Sequence, residues 1–126
     1  MAKKEFFFKG KTLDELKKLS LGEFALLCNS DVRRKITRGF TPEEKTFLEN
    51  LRKGNNVKTH CRDMLILPEM IGKNVLIHRG NSFDAVLLQP EMVSHRLGEF
   101  SLTRKSLKHS SPGVGATRSS SAVSVR

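Results

Sequence analysis

Charge is divided unevenly along this chain, and the division limits where a folded core can form. Residues 57–100 carry five basic and five acidic side chains and form the most apolar segment. Residues 1–56 carry 13 basic and 8 acidic side chains, and residues 101–126 carry five basic and no acidic ones. We therefore expect a basic helical N-terminal region (1–56), a compact core module (57–100) and a basic Gly/Ser-rich tail (101–126).

The overall charge predicts the class of partner. Lys and Arg number 23 against 13 Asp and Glu in 126 residues, a formal net charge of +10 and enough chain for about one domain. Such a balance favours polyanions, with nucleic acid first and an anionic membrane surface second. No run of 18 apolar residues indicates a membrane-spanning helix. The N-terminal apolar run is too short for a signal peptide, so we expect a cytoplasmic protein.

Helix-start signals recur through the first half of the chain. The sequences Thr12–Glu15 and Ser20–Glu23 each fit a capping box, in which the first and last side chains bond each other's backbone amide. Ser30 or Asp31 can cap a third short helix, which Gly39 would end.

The clearest helix start lies at Thr41. Thr41 can cap, Pro42 suits the first helical position, and two glutamates follow where the helix dipole favours acids. The basic end Arg52-Lys53 precedes Gly54, so the pattern predicts a helix over about 42–53.

After residue 56 the periodicity changes from helical to alternating. Gly80-Asn81 is a hairpin signal between two apolar alternating runs. The predicted elements are a strand over 57–63, a strand over 73–79, a return strand over 83–88, and a short helix from Gln89 to about Leu97 closed by Gly98. From Ser101 onward the apolar residues follow neither a helical nor a strand period, and we expect this segment to be disordered when alone in water.

Candidate metal and catalytic residues are scattered. The candidate metal ligands are Cys28, His60, Cys61, His78, His95 and His109. No two of them have zinc-finger spacing. His60 and Cys61 are adjacent, and adjacent side chains on a strand point to opposite faces, so they rarely share a metal. The core acids lack paired spacing, and most serines lie in the tail, where nothing would hold a nucleophile. We therefore expect no metal, no cofactor and no enzymatic activity. Two cysteines make no disulfide framework.

Two clusters of basic residues are candidate phosphate contacts. In the first half these are Arg33, Arg34 and Arg38, with Lys35 between them, and i, i+4 spacing places Arg34 and Arg38 on one side of a helix. The tail cluster has no acidic neighbours and comprises Arg104, Lys105, Lys108, His109 and Arg118. The glycine-containing stretch 112–117 is either a flexible linker or a backbone that lies close against RNA.

The middle and tail carry recognisable motifs. The runs THCRDMLILPEMIGKNVLIHRGNSF, PEMVSHRLGEFSLTRKSLKH and PGVGATRSS include a duplicated Pro-Glu-Met and a His-x-Leu-Gly-Glu-Phe signature at residues 95–100. Together they resemble the S-nineteen family of small-subunit ribosomal proteins. Phe8-Lys9-Gly10 and the Arg33–Gly39 cluster are similar to the archaeal and eukaryotic branch, whose eukaryotic members are called S-fifteen. The resemblance covers nearly the whole chain and weakens at residues 121–126.

The resemblance implies a fold and a location. It implies a small α+β module with a short antiparallel sheet. With the elements predicted above, the expected fold class is α+β: N-terminal helices, then a small antiparallel sheet with a short helix, and an extended basic tail. It also implies a place in the head of the small subunit, on the 3′ major domain of the rRNA, beside ribosomal protein S-thirteen and other head proteins. The tail would approach the decoding region and the A-site tRNA. No homo-oligomer is expected.

The core module supplies a further set of candidate RNA contacts. Its basic and histidine side chains should meet phosphates and 2′-hydroxyls, in recognition of shape more than of base sequence; they are His60, Arg62, Lys73, His78, Arg79, His95 and Arg96. A free-standing RNA chaperone or RNA-binding regulator is the alternative, and an enzyme acting on nucleic acid is a third hypothesis. Replacing Arg104, Lys105 and Lys108 with Ala should flatten the salt dependence of RNA binding.

Overall fold

The computed structural model describes residues 5–108, so His109, Arg118 and the rest of 109–126 lie outside the described residues. Within 5–108, helices fill most of the first half: α1 (Leu13–Lys18), α2 (Leu21–Leu27), α3 (Ser30–Arg38) and α4 (Pro42–Lys53). Capping boxes start α1 at Thr12, α2 at Ser20 and α4 at Thr41, which confirms those three predicted starts. The predicted bounds of α4, 42–53, are confirmed as well.

The start of α3 differs from the prediction. Asn29 precedes the first helical turn and makes no side-chain capping bond, so neither Ser30 nor Asp31 is the cap. Gly39 does end α3, with φ of 86°, a left-handed conformation that glycine adopts at low cost.

A short hairpin at the N-terminus was not predicted from the sequence. Strands β1 (Phe7–Phe8) and β2 (Lys11–Thr12) pair antiparallel, with Phe8 opposite Lys11. Lys9 and Gly10 make the turn with φ of 50° and 80°. Phe8 packs on the core, its ring centroid 6.2 Å from that of Phe24 in α2.

The main sheet has three strands: β3 (Val57–Thr59), β4 (Asn74–His78) and β5 (Phe83–Leu87). Strands β4 and β5 form the predicted antiparallel hairpin. Strand β3 pairs parallel to β4, so the sheet is mixed rather than wholly antiparallel. A parallel pair needs a long crossover, which residues 60–73 supply. The α+β class is confirmed, with this correction to the sheet.

Two predicted elements are shorter in the structure because other contacts take their backbone groups. The strand predicted over 57–63 ends at Thr59, whose hydroxyl accepts a hydrogen bond from the Cys61 amide at 3.0 Å and turns the chain. The helix predicted over 89–97 is wrong. It is replaced by separate 3₁₀ turns at Pro90–Met92 and Leu97–Phe100.

The interruption at residues 93–96 follows from packing against the core. Val93 is buried, and Ser94 adopts φ of 69°. The amide of Ser94 donates to the Ile66 carbonyl at 3.1 Å, and the amide of Ile66 donates to the His95 carbonyl at 2.8 Å. These bonds to a core segment replace the helical bonds that continued winding would have made.

One hydrophobic cluster joins the helices to the sheet. Leu16, Phe24 and Phe47 from the helices pack with the run 64–67 and with Ile77 of β4. The run 64–67 is almost fully buried. Residues 1–56 and 57–100 thus contribute to the same core.

The chain leaves this core at Ser101. Ser101 is buried and its hydroxyl donates to Asp84 at 3.0 Å, whereas Leu102 and Leu107 are exposed. Residues 102–108 contain neither helix nor strand. Among the described residues, no helix is long and apolar enough to cross a membrane.

Candidate nucleic-acid interface

Arg62 lies between two segments of backbone and binds three of their carbonyls. Its guanidinium donates to the carbonyl oxygens of His78 at 2.7 Å and Gly98 at 2.8 Å, and also to that of Ser101. Gly98 fits closely here, because a Cβ at that position would lie 3.1 Å from the Arg62 backbone oxygen. The planar guanidinium fork suits such simultaneous bonds. Arg62 therefore ties the end of β4 to the start of the tail.

Two other predicted contacts also donate to main-chain carbonyls, at helix ends. Arg33 in α3 donates to three carbonyls at the C-terminal end of α2, those of Ala25, Leu26 and Cys28, each at 3.3 Å. Lys73 donates to the Leu51 carbonyl near the end of α4 at 2.7 Å. Cations at these positions bond to carbonyls at the C-terminal ends of helices, where the helical hydrogen bonds run out.

A second group of predicted contacts pairs with carboxylates. Arg96 and Arg34 both bind Asp31, at 2.8 and 3.2 Å, and these hydrogen bonds, that from Arg96 above all, lower the pKa of Asp31. His95 lies 2.8 Å from Glu99. Asp31 lies on α3 and Arg96 lies beyond the sheet, so their pair joins the two halves of the fold. A pair as exposed as Arg34 with Asp31 contributes little stability.

Arg79 and Lys35 have paired carboxylates as well. Arg79 lies 3.2 Å from Asp84, and its Nε donates to the Ser82 hydroxyl at 2.8 Å, within the β4–β5 hairpin. Lys35 of the α3 basic cluster lies 2.8 Å from the buried Glu44, so this carboxylate already neutralises its charge.

The remaining predicted basic residues are free to meet an external anion. Among residues 5–108, no hydrogen bond or ion pair engages the side chains of Arg38, Arg104, Lys105 and Lys108, and all four are exposed. Arg38 ends α3, and the other three follow one another along the start of the tail. We call these four residues the unpaired cations.

His60, His78 and Phe83 form an aromatic cluster on the sheet. The ring centroids of His60 and His78 lie 4.4 Å apart, and Phe83 meets both rings edge-on at 5.3 and 5.0 Å. Lys58 places its ammonium 5.3 Å from the centre of the Phe83 ring. His60 is exposed, so the cluster is open to solvent at this residue.

The sequence did not identify Phe83 or Lys58 as candidate contacts, although the predicted hairpin could have indicated Phe83. The predicted hairpin places Phe83 directly opposite His78 in the antiparallel register. The position of Lys58 and His60 beside them depends on the parallel pairing of β3, which the sequence did not predict.

The two cysteines and the histidines do not assemble into a metal centre in the described part of the chain. No group of three or more His, Cys, Asp or Glu side chains within residues 5–108 is placed to hold an ion. Burial raises the pKa of the Cys28 thiol to about 11, which keeps it protonated at neutral pH.

These side chains together can bind a folded RNA without base-specific readout. Unpaired cations neutralise phosphates, and an exposed ring can stack an unpaired base. The paired arginines fix the shape of the surface that presents them.

Comparison with known proteins agrees with this chemistry. The sequence profile of the family described as Ribosomal protein S19 matches residues 34–109, more than half of the chain. The small ribosomal subunit protein uS19 of Methanoculleus marisnigri (strain ATCC 35101 / DSM 1498 / JR1) is 44% identical over 125 residues, covering 98% of this chain and 91% of its own length. Both confirm the resemblance first indicated by the Pro-Glu-Met and His-x-Leu-Gly-Glu-Phe motifs, and the chain belongs to the ribosomal protein S19 family.

Proposed function

We propose that this protein is a structural constituent of the small ribosomal subunit that binds small-subunit rRNA and supports translation. The observation that carries the proposal is the 44% identity to a small-subunit protein over nearly the full length of both chains. The unpaired cations and the exposed aromatic cluster give it a physical basis. Its location would then be the ribosome.

The resemblance to the S-nineteen family supplies the finer parts of the proposal. The protein lies in the head of the small subunit, on the 3′ major domain of the rRNA. It contacts ribosomal protein S-thirteen and other head proteins. Its tail approaches the decoding region and the A-site tRNA.

The mechanism is passive and rests on two classes of side chain. Arg33, Arg62 and Lys73 hold backbone segments in place through their carbonyl bonds. The unpaired cations contact phosphates and release counterions, while the aromatic cluster stacks an unpaired base. Recognition is therefore mainly of RNA shape.

The start of the tail contributes through charge. Arg104, Lys105 and Lys108 have no acidic residue near them in sequence or among their described contacts. Fixing extended backbone costs about 1–2 kcal/mol per residue, so several phosphate contacts are needed to offset it. Replacing all three with Ala should weaken RNA binding and flatten its dependence on salt concentration, by nearly one unit of slope for each phosphate that is no longer neutralised. An unchanged slope would argue against phosphate contacts by these residues.

Sedimentation tests the assignment to the ribosome directly. A lysate is separated on a sucrose gradient at low magnesium, where the subunits part, and the protein is followed with an antibody. We expect it in the small-subunit fractions, with a large-subunit protein as the matched control. A protein found mainly at the top of the gradient would instead support a free-standing RNA chaperone or regulator.

A further inference from the structure

A basic cleft opens between the β4–β5 hairpin loop and the start of the tail. Loop residues 79–81 form one wall, and tail residues 102–105 form the other. The cleft is partly open to solvent and has a volume of about 340 Å³. That volume is many times the roughly 10–15 Å³ that a cavity needs to hold one water, so a hydrated phosphate group fits. We call it the hairpin–tail cleft.

The lining of the hairpin–tail cleft has charge of one sign. Arg79 comes from the loop wall, Arg104 and Lys105 come from the tail wall, and no carboxylate lines the cleft. Asp84 pairs with Arg79 from outside the lining, through Oδ1 at 3.2 Å. Its other oxygen accepts the Ser101 hydroxyl at 3.0 Å. Asp84 therefore offsets part of the charge of Arg79 and links the two walls.

Partly buried hydrogen bonds join the points from which the two walls start. Arg62 donates to the carbonyl of His78, just before the loop, and to that of Ser101, just before the tail wall. Ser101 is 1% exposed, so the tail wall starts from a fixed point. The loop wall and the first residue before the tail wall are thus joined before binding, so that only tail residues 102–105 have to be ordered when an anion enters.

We propose that the hairpin–tail cleft binds one phosphodiester group of the RNA, shared between Arg79, Arg104 and Lys105. The inference rests on the proposed function, because the ligand is the backbone of the bound rRNA. Guanidinium groups bind phosphate oxygens through paired N–H donors, and a lysine adds a point charge. The hairpin and the tail thus meet the RNA at a common phosphate, in addition to separate contacts elsewhere.

Phosphate ethylation interference tests the cleft at the level of single phosphates. A transcript of the 3′ major domain is ethylated at random, which removes the charge of one phosphate per molecule, and the fraction bound by the full-length protein is mapped. Arg79→Gln and Arg104→Gln should each weaken binding about tenfold, as expected for loss of about 1.4 kcal/mol. Both variants should lose part of their sensitivity to ethylation at the same phosphate, because the other two cations of the cleft still contact it.

Lys108→Gln is the matched control, because Lys108 is an exposed tail cation outside the cleft lining. It should keep the sensitivity at that phosphate. The double variant Arg79→Gln with Arg104→Gln should lose more of the sensitivity at that phosphate than either single variant, since both residues contact it. Arg104 makes no hydrogen bond or ion pair with a described residue, so its variant reports on the cleft even if Arg79→Gln disturbs the hairpin.

The outcomes separate this inference from the proposed function. Loss of sensitivity at two different phosphates, or retention at every phosphate in both variants, would overturn the shared phosphate while leaving RNA binding intact. Failure of the wild-type protein to bind the transcript at all would overturn the proposed function and the inference with it.

Discussion

At the scale of single residues, some basic side chains already bond to groups within the protein, whereas others are free to bind RNA. Arg62 gives its donors to three backbone carbonyls, whereas Arg104 is exposed and has no partner among the described residues. A guanidinium already bonded to three partly buried carbonyls has few donors left for a phosphate, and moving it would leave those carbonyls without this partner. Net charge therefore overstates the number of side chains that can meet RNA.

Replacing Arg62 with Lys should separate a structural role from a phosphate contact. Lysine keeps the charge but lacks the fork that reaches three carbonyls. We expect a loss of at least about 2 kcal/mol in the free energy of unfolding, measured by urea denaturation. The salt dependence of RNA affinity should be unchanged. Arg38→Lys is the control and should alter stability by less than about 0.5 kcal/mol.

One result of the Arg62→Lys experiment would contradict the structural role of Arg62. A variant of normal stability with a flatter salt dependence would show that Arg62 contacts a phosphate.

Glu44 should make stability depend on pH. Burial alone would raise the pKa of Glu44, but the Lys35 ammonium at 2.8 Å and the Thr41 amide and hydroxyl outweigh it and hold the pKa below its ordinary value. Its stabilisation is therefore complete above the unfolded-state pKa, near about 4.3, and is lost as pH falls through the lower folded-state pKa.

The matched variant is Glu44→Gln, which keeps the capping-box geometry without the charge. We expect it to be about 1–3 kcal/mol less stable at pH 7, with a difference from wild type that shrinks as the pH falls below about 4. Urea denaturation across the pH range measures this difference. A difference that stays constant down to about pH 2 would contradict the ionised pair.

At the scale of elements, the β4–β5 hairpin contributes to both the aromatic cluster and the hairpin–tail cleft. It supplies His78 and Phe83 to the aromatic cluster and Arg79 to the hairpin–tail cleft. Its position is fixed from outside, since Arg62 and Ser101 bind its two strands. The hairpin thus presents stacking and charge from one rigid support.

RNA affinity should depend on an aromatic ring at position 60, whether or not that ring is a histidine. His60→Ala should weaken RNA binding about 5- to 100-fold, the range expected when one base loses an aromatic partner. His60→Phe keeps a ring and should retain most of the affinity. Neither variant should change the salt slope, as measured by filter binding. Equal losses in both variants would contradict stacking and favour a hydrogen bond from the imidazole.

At the scale of the whole molecule, one core supports two basic surfaces. The helices α1–α4 and the mixed sheet share a hydrophobic cluster, and the Arg96–Asp31 pair joins α3 to the segment after the sheet. The unpaired cations lie at two places on this body, Arg38 at the end of α3 and the other three at the start of the tail. A rigid body of this kind suits a protein that organises RNA by shape.

Local signals in the sequence predicted local structure well. The caps at Thr12, Ser20 and Thr41 depend only on residues three positions apart, and all three were confirmed. The parallel pairing of β3 and the break at Ser94 depend on distant segments, and both were missed. The candidate site follows the same rule, because the carbonyl partners of Arg62 lie up to 39 residues away in sequence.

Photochemical crosslinking of the purified small subunit tests the central claim most directly. Ultraviolet crosslinks between rRNA and protein are mapped to single residues of this chain by mass spectrometry. We predict crosslinks to the 3′ major domain at His60 and within residues 104–108, with none at Arg33, Arg62 or Lys73. Crosslinks confined to those three structural residues, or absence of the protein from the purified subunit, would contradict the account.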